Sequence, residues 1–304
     1  MKVQMVDGHD IELYVYEPHA EIRIRGVIQL VHGSCEHVMR YEEFINFLMN
    51  QGYVVYANDH RGHGLSVQSS DDFGYFGEND GWIKMVDDLK SVNDIIHAKH
   101  PDLPVIMFGH SMGSFLARHY AIDYGETINA LILSGTAHQP GYQLMAGKIV
   151  AKLTKRIKGS KYRSPLIHRL SYGTFNQNIE NAKTASDWIC YDEQVVDEFC
   201  NDPKCGFVFT AAGFEDLFSG LLYITNPKNI KKMPYDLPTL LLSGEDDPVG
   251  GFGHMVVKAN DAMKEAGLID LNYKLYPNMR HEILNELDKT IVYDDIHDWI
   301  QQVI

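Results

Sequence analysis

Short apolar runs rich in Val, Ile, Leu and Tyr recur at 11–16, 27–31, 53–57, 104–108, 128–133, 238–242 and 271–276, most of them bounded by Gly, Pro or Asp. Runs of this length with such boundaries predict strands. Between them apolar residues return every three or four positions, as in Ile83, Val86, Leu89, Val92 and Ile96, and again in Leu287, Ile291, Ile296, Trp299 and Ile300. That period predicts amphipathic helices. Strands alternating with helices imply an α/β fold, a mostly parallel sheet with helices on both faces. The first two runs have no helix between them and predict an antiparallel hairpin at the start of the sheet.

The alternation stops after Ser134 and resumes at Leu237, and the stretch between carries helical signals without a convincing strand. It predicts a helical cap at 137–232 inserted into a core made of 1–136 and 233–304. At roughly 150 residues per domain, a chain of 304 residues accommodates either two units or one large domain with such an insertion. Charge sharpens the boundary. No Asp or Glu occurs from Thr127 to Ile179, whereas Lys148, Lys152, Lys155, Arg156, Lys158, Lys161, Arg163 and Arg169 all fall there. The formal charge is -14, and without those eight bases the rest of the chain sets 19 bases against 41 acids. The simplest reading of the basic stretch is a solvated helix face; the alternative is peripheral contact with anionic lipid or an acidic substrate. The average negative field excludes nucleic acid as a partner. Four irregularly spaced cysteines make neither a disulfide framework nor a zinc spacing. With no secretory pattern at the N-terminus and no apolar run long enough to span a bilayer, a cytoplasmic location is the expectation. Oligomeric state leaves no signature.

The densest chemical signal is Val105–Gly113, VIMFGHSMG, a buried-strand pattern that runs into Gly109, His110, Ser111, Met112 and Gly113 and then into a helical stretch. A serine flanked at two positions on either side by glycine, between strand and helix, is the pattern of a nucleophile elbow. The glycines are needed because side chains there would collide with the tight turn, and the helix N-terminus favours negative charge developing on oxygen. Ser111 is the candidate nucleophile. It needs an imidazole to take its proton and a carboxylate to orient that imidazole, in the chain order Ser, acid, His. The strand ending at Gly244 leads to Glu245, Asp246, Asp247 and Pro248, so Asp247 is the candidate acid with Asp246 the alternative. The last strand leads through Pro277 to His281, the candidate base among 15 histidines. Met112 supplies one backbone N–H for an oxyanion hole, and Ser34, in the loop after strand 27–31, supplies the other, with Gly33 allowing close backbone approach. Cys35 reads as a small packed side chain rather than a second nucleophile.

The segments HGSCEHVMRY at 32–41, NDHRGHGLS at 58–66, GHSMGS at 109–114, SGEDDPVGG at 243–251 and RHEILNE at 280–286 together resemble the monoglyceride lipase and lysophospholipase branch of the α/β-hydrolases, which shares its core with S33 peptidases. The resemblance covers the core and thins over the cap. It implies an α/β-hydrolase fold with a lid above an acyl pocket, and a serine esterase acting on monoacylglycerol or lysophospholipid-type esters. Peptidase, amidase or acyltransferase chemistry on the same three groups, and a non-catalytic ligand-binding fold, are the alternatives. It implies that Ser34 is the oxyanion donor, that the residue before Pro248 is the acid, and that Arg40 holds the polar end of the substrate, with Glu36 and Gly33 of the same loop as further contacts. Cys35 departs from the glycine usual at that position.

Other signals carry less. Asp59, His60, Arg61, Gly62, His63 and Gly64 do not complete a metal site and read as a structural loop. No phosphate-cradling glycine motif occurs, so no cofactor is expected. Phe207, Phe209, Phe214, Leu217, Phe218, Leu221 and Leu222 read either as cap core or as the wall of an acyl pocket.

Overall fold

The computed structural model describes residues 1–304. Eight strands, β1 (Lys2–Gln4), β2 (Asp10–Tyr16), β3 (Gly26–Val31), β4 (Tyr53–Asn58), β5 (Val105–His110), β6 (Ala130–Ser134), β7 (Thr239–Gly244) and β8 (Leu271–Tyr276), form one sheet in the order β1-β2-β4-β3-β5-β6-β7-β8. From β4 to β8 every pairing is parallel; β1 and β2 are antiparallel additions at one edge. Ten helices accompany it: α1 (Glu42–Asn50), α2 (Gly81–Lys99), α3 (Met112–Tyr124), α4 (Gly141–Lys158), α5 (Pro165–Tyr172), α6 (Glu193–Asn201), α7 (Ala211–Ile224), α8 (Pro227–Ile230), α9 (His254–Ala266) and α10 (Lys289–Val303).

The central strands explain why the runs read as continuous apolar stretches. Val27 and Val31 of β3, Val105 and Met107 of β5, and Leu131 and Leu133 of β6 pack on the face covered by α2, α3, α7 and α9. Their neighbours Ile28, Leu30, Ile106, Phe108, Ala130 and Ile132 pack on the opposite face with α1 and α10. Side chains alternate with a period of two, and both faces are buried.

All seven expected strands are present with ends shifted by no more than two residues, but the expected initial hairpin is not. β2 pairs with β1 and β4, and β3 lies between β4 and β5. Every residue of β3 is buried, so it requires strand neighbours on both sides, whereas β2 buries only alternate residues and suits a place near the edge. β1, three residues long, was too short to show a period. The helical faces also need correction: Ile83, Leu287 and Ile291 are exposed, and the buried stripe of α10 is Val292, Tyr293, Ile296, Trp299 and Ile300. Leu287 precedes the helix, so its spacing carries no facial meaning.

Between β6 and β7 the chain forms α4 to α8, with only an isolated bridge, Arg163 to Thr210, outside helical structure. α4 packs on α7, and α7 packs on α2 and α3. Phe209, Phe214, Leu217, Leu221 and Ile224 thereby join the same apolar cluster as Leu116 and Tyr120 of α3. Arg118 of α3, fully buried, donates to Ala137 O and Ile224 O, fastening α3 to the start of this segment and to the end of α7.

Candidate active site

The loops that leave the carboxyl ends of β3, β5, β7 and β8 converge at one edge of the sheet, the place where ligands bind in sheets of this kind. Ser111 occupies the turn between β5 and α3 with φ 52° and ψ -122°. A non-glycine residue held at positive φ is strained by about 1–3 kcal/mol, so the surroundings must enforce it. They do: Ser111 N donates to Ser134 O at 2.8 Å, and Ser111 O accepts from Ser114 N at 2.8 Å and Ser114 Oγ at 2.6 Å. A Cβ on Gly113 would lie 2.1 Å from Val31 O, and one on Gly109 would lie 2.4 Å from Gly113 O. The two flanking glycines are thus required by backbone contacts.

His281 Nδ1 lies 2.9 Å from Asp247 Oδ2, and both residues are buried. Asp247 also accepts from Val249 N at 2.8 Å and Ser243 Oγ at 3.1 Å, which fixes the carboxylate before the imidazole meets it. Burial alone would push the His281 imidazole down, but the charge and hydrogen bond of Asp247 outweigh it and raise it above its ordinary value. For Asp247, burial acts upward and is outweighed by His281 and the hydrogen bonds, so its carboxyl is held below the usual range. Asp246, the alternative acid, instead accepts from Tyr191 Oη at 2.9 Å.

His281 Nε2 is buried and has no hydrogen-bond partner, and Ser111 and His281 line the same cavity. Catalytic hydrogen bonds are commonly long in unliganded sites and tighten around substrate. The imidazole is boxed in by the rings of His110 at 4.7 Å and Trp188 at 5.1 Å, and a Cβ on Gly135 would come within 2.8 Å of its Cε1. Burial, with the neighbouring His281, pushes His110 down to about 3, so it stays neutral beside the base.

Ser34 and Met112 border the space around Ser111, and neither backbone N–H is used by another group of the protein. Gly33 sits against Ser111, its ideal Cβ position being 3.1 Å from Ser111 Cβ. Gly33 N donates to Glu36 Oε1 at 2.5 Å, and Tyr41 Oη donates to the same oxygen at 2.6 Å. Arg40 does not reach the cavity. Its guanidinium bonds Glu36 Oε2 at 2.8 Å and both oxygens of Glu282 at 2.6 and 2.7 Å, with the ring of Phe199 at 4.8 Å. Arg40 therefore ties the loop carrying Ser34 to the residue next to His281, a bracing position rather than the substrate contact that resemblance implied. Glu36 does line the cavity, as does Glu282. Burial pushes the Glu36 carboxyl up; in Glu282 burial acts upward too, but Arg40 outweighs it and holds the group down.

Two cavities meet at Ser111. One, of about 250 Å³, is lined by polar groups including Glu36, His168, Asn176, Ser186 and Glu282. The other, of about 640 Å³, is mostly apolar and bounded by Phe115, Leu144, Val150, Ile167, Phe218 and Leu221, among others. Ser34, Ser111, Tyr172 and Trp188 belong to both walls. The aromatic cluster read from the sequence is divided: Leu217, Phe218 and Leu221 line the larger cavity, Phe207 lines the smaller one, and Phe209 and Phe214 are core. Sequence reasoning missed Trp188, Tyr172, His168 and Asn176, which sit in the segment between β6 and β7 where no motif frames them. Glu282 could have been found, since it adjoins His281.

His60 and His63 stack around His32 beneath this loop, at 4.0 and 5.2 Å between rings. His32 Nε2 accepts from His60 N, and His63 Nδ1 lies against Arg61 O, so these rings serve loop structure.

Known proteins resemble this chain in sequence and in fold. The chain is 28% identical over 298 residues to a monoacylglycerol lipase of Mycolicibacterium smegmatis, covering 97% of this chain and 94% of that one. It is 25% identical to human monoglyceride lipase, over 91% of this chain and 83% of the relative. A thermostable carboxyl esterase from Bacillus coagulans, solved with glycerol, superposes with a TM-score of 0.91 at 30% identity, covering all of this chain and 97% of its own. The family model for serine aminopeptidase, S33, matches residues 22–288, and the chain belongs to that family of α/β-hydrolases.

Proposed function

We propose that the protein is a cofactor-independent serine carboxylic ester hydrolase that cleaves monoacylglycerol-type esters. The observation that carries this reading is the placement of Ser111 where a large apolar cavity meets a smaller one whose wall also carries the polar groups of Glu36, His168, Asn176, Ser186 and Glu282. An acyl chain fits the first and a compact polyol the second. The small cavity has two carboxylates in its wall and no Lys or Arg, so a phosphate-bearing head group finds repulsion and no cation. That favours a neutral alcohol over a lysophospholipid, and relatives named monoacylglycerol lipase support the same choice.

In this reading Ser111 Oγ attacks the ester carbon while its proton passes to His281 Nε2. The charge on the carbonyl oxygen is held by the N–H groups of Ser34 and Met112, and Asp247 stabilises the imidazolium. The bond to the alcohol breaks as His281 returns the proton to the leaving oxygen. Water then attacks the acyl-enzyme, giving its proton to His281, and the free acid leaves as Ser111 regains a proton. Arg40 and Glu36 act as positioning residues for the loop that carries Ser34.

Residues 137–232 serve as the lid in this reading, and the lid meets anionic lipid. Tyr142, Met145, Ile149, Leu153 and Ile157 form an exposed stripe along α4, joined by Leu166 and Leu170 of α5. Lys152, Arg156, Lys158 and Arg169 are exposed beside it. Leu170 is at once part of this exposed patch and of the apolar cavity wall, so the patch leads into the acyl site. Apolar and basic groups on one face suit an interfacial helix. No helix is long and apolar enough to cross a membrane. All four cysteines are free, which fits a reducing, cytoplasmic compartment.

The test is Ser111→Ala assayed on a monoacylglycerol, a lysophospholipid and an aminoacyl amide beside the wild type. Expected are turnover of the monoacylglycerol above the other two and a loss of about 10⁴-fold or more in the variant. Wild-type preference for the amide, or variant turnover near the wild-type rate, would overturn the assignment.

A further inference from the structure

A second cluster of reactive side chains lies outside the groups that perform this chemistry. His37 stands in the loop after β3, three residues beyond Ser34, while Asp202 and Cys205 lie just after α6 in the segment between β6 and β7. His37 Nε2 is 2.8 Å from Asp202 Oδ2, and these two atoms and Cys205 Sγ all lie within 4.8 Å of one another. His37 is 6% exposed and Cys205 9%, while Asp202 keeps one side toward solvent. The thiol has no hydrogen-bond partner. Cys35 donates to Phe207 O and Cys190 to Asn285 O, but the Cys205 thiol has no such partner and lies beside the imidazole and the carboxylate, within the small apolar cluster of Ile189, Val196 and Phe199.

We propose that His37, Asp202 and Cys205 bind a divalent zinc-like cation, with the fourth position open to solvent. One thiolate, one imidazole and one carboxylate form a borderline-soft set that selects zinc over magnesium or calcium. Bond lengths of about 2.0–2.3 Å place ligand atoms of a tetrahedral site roughly 3.3–3.8 Å apart, so the nitrogen and oxygen separate slightly and the sulfur draws in. Coordination releases the Cys205 proton to solvent, and the imidazole gives up its Nε2 hydrogen bond to Asp202 and binds as the neutral tautomer with its proton on Nδ1.

The site joins two segments that already touch: Gly206 N donates to Cys35 O at 2.9 Å, and Cys35 Sγ donates to Phe207 O at 2.9 Å. An ion there pins the segment after α6 to the loop that carries Ser34. It raises thermal stability whatever ester the enzyme prefers. The linear spacing hides this set, because two ligands lie more than 160 residues beyond the first.

The experiment is equilibrium dialysis of chelator-treated full-length protein against Zn²⁺, with thermal melts and a Co²⁺ titration read in the near-ultraviolet. Wild type is expected to bind one ion per chain at micromolar metal, to melt at higher temperature with zinc, and to show a thiolate-to-cobalt charge-transfer band. Cys205→Ser and His37→Gln are expected to bind at least tenfold more weakly and to lose the stabilisation, and Cys205→Ser to lose the band as well. Cys200→Ser, at an exposed thiol outside the cluster, is expected to keep all three. Because the cobalt band is measured on the wild type, failure of a variant to fold does not remove the test. Absence of binding at micromolar zinc, a spectrum without a sulfur band, or binding that survives both ligand substitutions would overturn the proposal.

Discussion

The two walls of the catalytic cavity are held in place by different means. The wall made by strand ends is built from buried groups with multiple fixed partners: Asp247 with three donors, Glu36 with Gly33, Tyr41 and Arg40, Ser111 with Ser134 and Ser114. The wall made by the segment between β6 and β7 rests on apolar packing, on a few buried bonds such as those of Arg118 to Ala137 O and Ile224 O, and on polar tethers nearer the surface. Lys161 pairs with Asp72 at 2.7 Å, Arg163 donates to Phe73 O at 2.8 Å, Ser160 donates to Glu78 at 2.6 Å, and Lys155 reaches Glu78 O. Exposed ion pairs of this type contribute about 0–1 kcal/mol each. Buried, multiply bonded groups hold Ser111, Asp247 and His281 to a narrow geometry, and the other wall meets them through Trp188 against the His281 ring and Ile189 O accepting from Glu282 N. Three of the eight bases noted in the sequence are thus spent on holding this segment down, and the rest remain free for a surface.

The largest effect that sharpens this contrast is expected from Asp247→Asn. With the imidazole left in the wrong tautomer, kcat/KM on a soluble ester should fall by about 10³–10⁴-fold with the melting curve little changed. The pH profile adds a second readout. His281 must be neutral to accept the Ser111 proton, so in the wild type kcat/KM falls as pH drops through a value above that of ordinary histidine. Without the carboxylate, burial is opposed only by the more distant Glu282 and Glu36, and the acid limb of the residual activity should move to lower pH. A limb that stays in place would show that another group sets it.

Next in size is Arg40→Met. It strands the Glu36 and Glu282 carboxylates, each about 5% exposed, and should cost about 3–5 kcal/mol in urea denaturation. Adding Glu36→Gln and Glu282→Gln should recover most of that loss. A small effect of the single change would mean that these charges find water, and the contrast between the two walls would weaken.

Smaller and confined to specificity is Val150→Trp, which fills part of the 640 Å³ cavity from α4. The preference among saturated esters should shift toward shorter chains by about tenfold, roughly the value of one or two methylenes per pocket contact, with kcat on a short ester unchanged. An unchanged chain-length profile would place the acyl group elsewhere.

The smallest effect is expected on α4. Ile149→Ser with Leu153→Ser should lower partition onto vesicles containing anionic lipid by a few-fold to tenfold, and Lys152→Glu should do so at low salt only. Activity on a soluble short ester should not change. If cosedimentation is the same for all variants, this face does not meet lipid.

The sequence by itself determined the strands, the turn that carries Ser111 and the chain order of the three candidate groups, Ser111, Asp247 and His281. These depend on interactions within a few residues: runs of apolar side chains, glycines where the turn leaves no room, an acid before a proline at a strand end. Even the choice between Asp246 and Asp247 stayed open until the fold turned one carboxylate onto His281 and the other onto Tyr191. Only the tertiary structure decided what depends on distant segments meeting. The position of β2 outside β4, the pairing of Arg40 with two buried acids, the meeting of two cavities at Ser111 and the convergence of His37 with Asp202 and Cys205 all belong to that class. None has a linear signature, because burial and partner choice are set by what packs alongside, and the segment between β6 and β7 places its side chains against a core encoded on either side of it.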